Sequence, residues 1–410
     1  MSGKPIHRRE FHRLVLSSLA VAAGIPGCSN PTDYTEDDAS RLDAQMRSEQ
    51  AASGKGPYGD LHYRGYRELA KLPYFKLGDD GMLRLTVDEL PHGIDFHAHL
   101  GMNFLLAPEI DLLARPPMRY LLDCDRQTPG CNLDLDVYIN GAFSEEMHDE
   151  LEGELMGQLL LGSDAAATQT IPNLVAELDA MRFQAAAILP IALGLPFGDD
   201  LTDRWYDAIE RSGTRDRLIP FASVHPSDSG WRERLRGYAR RGARGLKVHP
   251  EMQRVFPDDQ RMMEIYEECE ALGLAVIFHA GRSGIEPSFM RKYALIRRFI
   301  QPARTFPRVQ FALGHAGARD VEDAVSLVRL LDNVWLEITG QGTTQLDAII
   351  QQLGTERLLF GSDWPFYPLA ATLAKVLLVT EKNPAGRAAI VRHNADRILK
   401  LAAATRRDHR

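Results

Sequence analysis

The sequence predicts an α/β protein, a (β/α)₈ barrel of the TIM type with an insertion after its first strand. From Gly93 onward, short apolar segments alternate with segments whose apolar residues recur at helical spacing, which is typical of repeated βα units. Eight strand candidates precede residue 402, and that number favours a closed barrel over an open parallel sheet. The chain of 410 residues is long enough for one domain of this kind.

The eight strand candidates are mostly apolar runs of five to seven residues. They lie at 93–97, 185–189, 218–224, 245–249, 275–279, 309–315, 334–338 and 358–363. Helical periodicity separates them, most clearly at 171–181, 231–241, 261–272 and 344–353. The span 100–170 is too long for a single loop and contains a helical pattern at 144–161, so we expect an insertion over the barrel mouth.

The barrel is predicted to occupy residues 93–402, and shorter segments flank it. Residues 29–60 are polar, with few large apolar side chains, which predicts a mobile tether. Alternating apolar residues within 61–92 predict an extension that contains a short hairpin, and 403–410 form a basic tail. Residues 1–28 have the features of an export signal.

The export signal is indicated by paired arginines ahead of an apolar run. Arg8 and Arg9 precede the run 14–23, which would form about 15 Å of helix and is too short to span a bilayer. With Phe11 two residues after the pair, the segment resembles a twin-arginine signal. That resemblance implies export of a protein that has already folded.

A predicted lipid attachment site follows the apolar run. The four residues that end at Cys28 resemble a lipobox, in which a lipid is linked to the cysteine after cleavage. The resemblance implies a lipoprotein that is attached to the membrane through Cys28. The alternative is an ordinary cleaved signal in which Cys28 has no role. Both interpretations predict an exported protein, on the periplasmic side or at the cell surface.

Composition and charge narrow the functional classes. The chain is 44% hydrophobic and 25% charged, which predicts a folded globular protein. Its formal charge is −8, and because residues 1–28 carry +3, the remainder carries −11. A nucleic-acid surface needs clustered Lys and Arg, so no nucleic-acid partner is predicted. The sequence contains no Walker loop, dinucleotide glycine fingerprint or serine elbow, which gives phosphoryl transfer and serine hydrolysis no support.

Three cysteines lie beyond the export signal. Cys124 and Cys131 could form a disulfide in an oxidising compartment, with two free thiols as the alternative. Cys269 lies in a helical pattern, so we expect it to be an inert buried thiol.

Residues of metal-ligand type end several strand candidates. They are His97 and His99 on the first, His279 on the fifth, His315 on the sixth and Asp363 on the eighth. In a barrel the carboxyl ends of the strands converge on one face, which would bring these side chains into a single pocket. The two histidines of the first strand would lie about 6.6 Å apart on the same side, close enough to bind one ion. A lone histidine would more often be a core residue, but four with an aspartate favour a metal site.

The motifs around these residues are similar to those of a known family. They are Asp95-Phe96-His97-Ala98-His99, Gly245-Leu246-Lys247-Val248-His249-Pro250, Phe278-His279-Ala280-Gly281, Gly314-His315-Ala316-Gly317, Phe360-Gly361-Ser362-Asp363-Trp364-Pro365 and the segment 394–399. In this combination the chain resembles the amidohydrolase superfamily, in the amidohydrolase-related branch that contains hydrolases and decarboxylases. The resemblance extends from about Gly93 to Leu401.

The resemblance implies a site for one divalent metal ion, which we expect to be Zn²⁺. The implied ligands are His97, His99, His279 and Asp363. A bound ion would make hydroxide available at neutral pH, and Asp363 would act as the base on that water. His315 would be the imidazole that polarises or orients the substrate.

Lys247 and His249, two apart on the fourth strand candidate, are further candidates for the site. Lys247 has three interpretations: a salt bridge, a substrate contact, or a carbamylated lysine that bridges two ions. Two-metal members of the superfamily have such a lysine, but the members that the chain most resembles generally use one ion. We therefore expect one ion, with a binuclear site as the alternative, and His249 is a candidate for substrate binding.

Several other residues could line the pocket. His225, Arg282, Arg319 and Trp364 are candidates for substrate binding. A capping hydrogen bond is the alternative for His225, and surface ion pairs are the alternative for the two arginines. Glu337, on the seventh strand candidate, could orient a metal ligand by accepting a hydrogen bond from it without contacting the ion.

We therefore predict a metal-dependent hydrolase of a small amide, ester or lactone-like substrate. The first alternative is a non-oxidative decarboxylase of a small carboxylic acid, which would use the same ligands. The second is a lipid-anchored binding protein on a degenerate barrel. The complete ligand set argues against the binding protein, because a buried unpaired cluster of this kind is costly to keep without an ion.

Overall fold

The computed structural model describes residues 34–126, 131–138 and 143–406, and its centre is the predicted barrel. Eight parallel strands lie side by side in chain order. We number them β1 Gly93–Ala98, β2 Phe183–Ile188, β3 Leu218–Ala222, β4 Gly245–Val248, β5 Ala275–His279, β6 Phe311–Gly314, β7 Val334–Glu337 and β8 Leu358–Leu359. All eight strand predictions are confirmed, since each predicted run contains or overlaps one of these strands.

Helices lie between the strands and flank them on both sides in the chain. Among the described residues, the α-helices longer than one turn are Glu36–Ala52, Glu145–Leu160, Ile171–Ala180, Leu201–Ser212, Trp231–Arg240, Gln260–Leu272, Ile300–Thr305, Val321–Leu330, Thr343–Leu353, Leu369–Val379, Pro384–Ala388 and Asn394–Ala403. Local chemistry sets their ends: the Asp259 side chain accepts from the amide of Arg261 at the start of one helix, and Gly213 ends another with a φ of 69°. The helices predicted between the strands are confirmed to within two residues.

Backbone hydrogen bonds between β1 and the segment after β8 close the barrel. Phe96 donates to the carbonyl of Phe360 at 2.8 Å, and His99 donates to that of Trp364 at 2.6 Å. In the opposite direction, the amide of Asp363 donates to the carbonyl of His97 at 2.8 Å. The segment that carries Asp363 is thereby fixed against the strand that carries both histidines.

A buried carboxylate reinforces this closure. Asp95 on β1 accepts hydrogen bonds from the amide of Ser362 at 2.9 Å and from its hydroxyl at 2.5 Å. It also accepts from the amide of His97 at 3.1 Å. Burial raises the pKa of Asp95 to about 8, although these hydrogen bonds oppose the shift. One aspartate therefore joins the first strand to the segment that follows the last.

Apolar side chains fill the inside of the barrel and the layer between its strands and helices. The inside contains Phe96 and Phe221, whose rings meet edge to face at 5.6 Å, with Ile277 and Trp335. The larger outer cluster lies between the strands and the helices. This filled interior leaves the carboxyl ends of the strands as the place for a site, as in other barrels of this type.

The segments before β1 and after it contain two small antiparallel sheets. Phe75–Leu77 pairs with Leu83–Leu85, within the segment for which the sequence predicted a short hairpin. His62–Tyr63 pairs with Leu133–Asp134 of the insertion. Cys124 and Cys131, also in the insertion, form a disulfide with their Cα atoms 5.2 Å apart, within the normal range for such a bond.

The predicted tether differs from expectation, because residues Glu36–Ala52 within it form a helix. Arg41 makes an ion pair with Asp323 at 2.9 Å, and Glu49 makes one with Arg319 at 2.9 Å. The helix is polar and has no strong apolar face, so its sequence alone resembled a flexible segment. Contacts with residues more than 250 positions away hold it on the barrel.

Two predicted features lie outside the described residues. They are the export signal with Cys28 and the last four residues of the basic tail. In the part of the chain that the structure describes, no helix combines the length and apolar character needed to cross a bilayer. Export and lipid attachment therefore stay predictions.

Candidate metal centre

His97 and His99 lie at the carboxyl end of β1 with their ring orientations fixed from behind. Nδ1 of His97 lies 2.6 Å from a carboxylate oxygen of Glu337, and Nδ1 of His99 lies 2.6 Å from the carbonyl oxygen of Leu189. Both partners are acceptors, so each Nδ1 carries the proton and each Nε2 keeps its lone pair. Both rings thus present the nitrogen that a metal ion needs.

Asp363 faces these two nitrogens. Its Oδ1 lies 3.4 Å from Nε2 of His97 and 3.3 Å from Nε2 of His99. These three side chains form one of two groups in the described part of the chain whose ligand atoms all lie within 4.8 Å of one another. Asp363 has a φ of 57°, a conformation that few residues other than glycine adopt and that is often found at functional sites.

His97, His315 and Glu337 form the second group. Glu337 is buried, and its carboxylate also accepts from the amide of His315 at 3.2 Å and from the amide of Thr339 at 2.6 Å. The Thr339 hydroxyl adds a further bond to the same carboxylate. The expectation that Glu337 could orient a ligand agrees with its contact to Nδ1 of His97. His315, like Asp363, has a φ of 57°.

Lys247 on β4 projects into the same space. Its Nζ donates to Nε2 of His97 at 2.9 Å. Burial lowers the pKa of Lys247 to about 8, although the carboxylates of Asp363 and Glu337 oppose the shift. The amine lies beside Nε2 of His97, where a cation bound by His97 would also lie. A cation and a protonated Lys247 would therefore compete for this position.

His279 belongs to neither of these groups and lies beside His315. Its Nδ1 is 3.0 Å from Nε2 of His315, and its Nε2 is 3.4 Å from a carboxylate oxygen of Glu251. The ring of His249 stacks on it at 4.1 Å between centroids. Of the four predicted ligands, the structure brings three into one group and leaves His279 beside His315.

Two of the predicted substrate-binding residues make contacts within the fold. Both ring nitrogens of His225 are occupied, by the Ser227 hydroxyl at 2.6 Å and by the carbonyl of Gln253 at 2.9 Å. Trp364 is fully buried, and its indole nitrogen donates to Glu177 at 2.9 Å. The contacts of His225 agree with the capping alternative, and substrate binding by His225 or Trp364 stays a prediction.

Arg282 and Arg319 both lie at the carboxyl end of the barrel and both pair with carboxylates. Arg282 is buried and forms a two-point pair with Asp320, with distances of 2.8 and 2.5 Å. Arg319 pairs with Glu49 and lies over the ring of Tyr138 at 5.1 Å. The ion pairs expected as the alternative are present, although they are buried and do not lie on the surface.

Some residues of the site were not found from the sequence. Gln341 donates to the carbonyl oxygens of His315 and Ala318 at 2.6 and 2.9 Å, which holds the unusual backbone after β6. Gly361 lies where any Cβ would collide with Glu337 and His97. Gly361 could have been recognised from the sequence, because it stands in the same motif as Ser362 and Asp363. Gln341 stands in none of the sequence motifs.

The donor set suits a divalent cation of intermediate softness. Burial lowers the pKa of His97 and brings that of His315 to about 4, so both imidazoles are neutral at pH 7 and keep a lone pair. Two imidazole nitrogens, Nε2 of His97 and Nε2 of His99, converge on a carboxylate oxygen of Asp363. Zinc, manganese and iron all accept such ligands.

Comparison with known proteins gives a family match. The family model described as "Amidohydrolase" matches residues 94–401. Comparison with curated proteins finds no significant match.

Solved structures with similar folds include three at a TM-score of 0.50 or more. The 5-carboxyvanillate decarboxylase of Sphingomonas paucimobilis is 15% identical with a TM-score of 0.52, and the match covers 75% of this chain and 99% of that one. The corresponding enzyme of Novosphingobium aromaticivorans, solved with manganese and a nitrobenzoic acid, is 16% identical at 0.50, covering 76% and 98%. An uncharacterised TIM-barrel protein of Bordetella bronchiseptica is 18% identical at 0.50, covering 58% and 85%. At these identities the likeness shows the fold.

Proposed function

Because this chain belongs to the amidohydrolase family and is therefore an enzyme, we propose that it is a metal-dependent hydrolase of a small amide, ester or lactone-like substrate. The observation that carries the proposal is the convergence of two unprotonated imidazole nitrogens on one carboxylate oxygen, 3.3 and 3.4 Å away. The site lies at the carboxyl face of the barrel, where substrates reach barrel enzymes.

We propose one divalent ion, Zn²⁺, with His97, His99, His279 and Asp363 as ligands. When bound, such an ion supplies Lewis acidity for a carbonyl and lowers the pKa of water to about 7. Glu337 supports the site by fixing the ring of His97. Manganese, which is present in the N. aromaticivorans structure, is the alternative metal, and elemental analysis of the purified protein separates the two.

The chain's own residues supply the proton transfers. Asp363 accepts a proton from the attacking water and returns it to the leaving group. His315 is neutral at pH 7 because burial lowers its pKa to about 4, so it can donate a hydrogen bond to the substrate carbonyl. His249, stacked on His279, is the candidate that we retain for contact with the rest of the substrate.

Isotope incorporation tests the reaction type. The enzyme should be assayed in ¹⁸O-labelled water with a panel of aryl esters, anilides and lactones. Hydrolysis places one labelled oxygen in the acid product of the turned-over compound. Turnover without label in the product would contradict a hydrolase.

Decarboxylation is the second candidate, because the two named enzymes with TM-scores of 0.50 or more are 5-carboxyvanillate decarboxylases. The same ligands could bind an ion that holds a substrate carboxylate. Incubation with 5-carboxyvanillate and measurement of released carbon dioxide tests this candidate. Release that depends on added metal, together with inactivity toward the whole ester, anilide and lactone panel, would favour the decarboxylase.

The metal content of Lys247 variants distinguishes a site for one ion from a site for two. We expect about one ion per chain in the wild type, and we expect Lys247→Ala to keep it, since removal of the amine frees the lone pair of His97. Lys247→Met serves as a control that fills the same volume. The measurement is metal content with and without bicarbonate, which a carbamylated lysine would need. Two ions in the wild type and one or none in Lys247→Ala would establish a bridged pair.

The export proposal has its own test. We propose that the chain leaves the cytoplasm through a twin-arginine signal and is held at the membrane by a lipid on Cys28. Arg8→Lys with Arg9→Lys should keep the protein in the cytoplasm, because the paired guanidinium groups carry the resemblance. Cys28→Ala should release the protein from the membrane fraction. Unchanged membrane association in Cys28→Ala would exclude lipid attachment at this residue.

A further inference from the structure

Large apolar side chains are exposed on the carboxyl face of the barrel. Leu106, Leu161 and Phe197 are 76%, 85% and 59% exposed, and all follow the carboxyl end of β1 or β2. Ile285 and Phe289 follow β5 and are also exposed. Scattered single residues of this kind are ordinary, but grouped ones mark surfaces that contact something apolar.

The first three residues come together from separate loops. The amide of Leu105 donates to the carbonyl of Gly198 at 3.3 Å, so Leu106 and Phe197 are neighbours across this bond. A Cβ at Gly162 would lie 3.1 Å from Pro108, which brings Leu161 to the same edge. We call Leu106, Leu161 and Phe197 the rim patch.

The loop that carries Phe197 is held rigidly. The Asp199 carboxylate accepts from the amides of Leu193, Gly194 and Leu195 at 2.8, 2.7 and 3.2 Å. Phe197 is therefore exposed at the tip of an ordered turn, and its exposure is not the result of a loose chain.

The loop that carries Leu106 is anchored equally firmly. The Arg204 guanidinium donates twice to Asn103, at 2.6 Å in each case, and the Asn103 side chain donates to the carbonyl of Pro108 at 2.8 Å. Leu105 has a φ of 49°, which is rare outside glycine, and Leu106 follows it. Polar contacts thus hold both loops in place, while the apolar side chains that they carry, Leu106 and Phe197, are exposed.

The rim patch is connected to the metal centre. Leu106 lies seven residues after His99, and the carbonyl that fixes the His99 ring belongs to Leu189, on the strand segment that leads to Phe197. Two of the three patch residues therefore follow segments that carry or fix a histidine of the metal centre.

The N-terminal helix lies on the same face. A Cβ at Gly284 would lie 3.1 Å from the sulfur of Met46, so this helix contacts the loop that carries Ile285. Glu36, where the helix begins, lies eight positions after Cys28, a reach of at most about 28 Å in an extended chain.

We propose that the rim patch contacts the lipid surface to which Cys28 attaches the chain, so that the mouth of the barrel faces the membrane. The inference rests on the proposed lipid attachment. The body of the protein carries −11 formal charges, so the contact is apolar and does not depend on attraction to anionic lipids. It therefore persists in high salt.

Quenching of a rim fluorophore by labelled lipid tests the proposal. The four native tryptophans are all buried, so Phe197→Trp adds an exposed reporter and Leu330→Trp, at an exposed leucine on a helix outside the mouth, is the matched control. The full-length protein, purified from the membrane fraction, is mixed with vesicles of phosphatidylcholine and phosphatidylethanolamine that contain brominated chains. We expect about a twofold loss of the Phe197→Trp emission, because apolar side chains enter the headgroup boundary by about 5–10 Å.

The expected result is quenching of Phe197→Trp at both low and high salt, little quenching of Leu330→Trp, and loss of the effect when Leu106→Ser and Leu161→Ser are added. Equal quenching of both reporters, or of neither, overturns the proposal. An emission shift of Phe197→Trp that depends on protein concentration without vesicles also overturns it, since a second copy would then cover the patch. Cys28→Ala fractionation tests lipid attachment separately, so the two failures are distinguishable.

Discussion

Asp363→Asn should lower kcat by roughly 10²- to 10⁴-fold, the range for loss of a general base, with a further loss if the ion is bound less tightly. The amide keeps the shape of the carboxylate but removes its charge and its capacity to accept a proton. The backbone bond from Asp363 to the carbonyl of His97 involves no side-chain atom, so the barrel should still close.

The matched control for this variant is Asp332→Asn, which makes the same chemical change at an exposed position. Its activity should equal that of the wild type. Circular dichroism should show that both variants are folded, and metal content should be measured in both. Near-normal activity of Asp363→Asn with bound metal would show that another group is the base.

Replacement of His97 and His99 together with Ala should reduce the metal content from about one ion per chain to near zero, because half of a four-ligand site is removed. Activity should disappear with the ion. The double variant also leaves Glu337 without its imidazole partner in a buried position, which destabilises the fold.

Two further variants separate loss of the ion from loss of the fold. His99→Ala alone keeps the contact between His97 and Glu337, so it should stay folded while its metal affinity falls. His92→Ala with His393→Ala removes two exposed histidines and should change neither property. A double variant of His97 and His99 that is free of metal yet active would overturn the proposed mechanism.

The barrel could be predicted because its determinants are local. Each strand candidate is a short apolar run, and a parallel strand covered on both faces needs no other signal. The chain positions of His97, His99, His315 and Asp363 then predicted their meeting, because the carboxyl ends of barrel strands share one face. The sequence could not predict that His279 would lie beside His315, since ring orientation depends on neighbours such as Glu251 and His249.

Partners that are distant in the chain account for the remaining differences. The helix Glu36–Ala52 has a polar sequence, and its fixed position depends on pairs such as Glu49 with Arg319, 270 residues away. Arg282 was readable as a cation near the mouth, but its pairing with Asp320 depends on two loops whose approach no local pattern encodes. Charged residues such as Arg282 and Arg319 are therefore among those for which the sequence left alternatives open.

The bonds between Asp95 and Ser362 join positions 267 residues apart, and this separation has a consequence for biosynthesis. A ribosome releases β1 long before Ser362 and Asp363 exist, so the nascent chain has two histidines and no carboxylate to complete their site. Contacts of such separation form late, because a long loop must close before they are gained. We therefore expect the proposed ion to be taken up only after the segment that carries Asp363 has been synthesised. If the protein is exported in the folded state, as proposed, a bound ion would identify a chain whose barrel is complete.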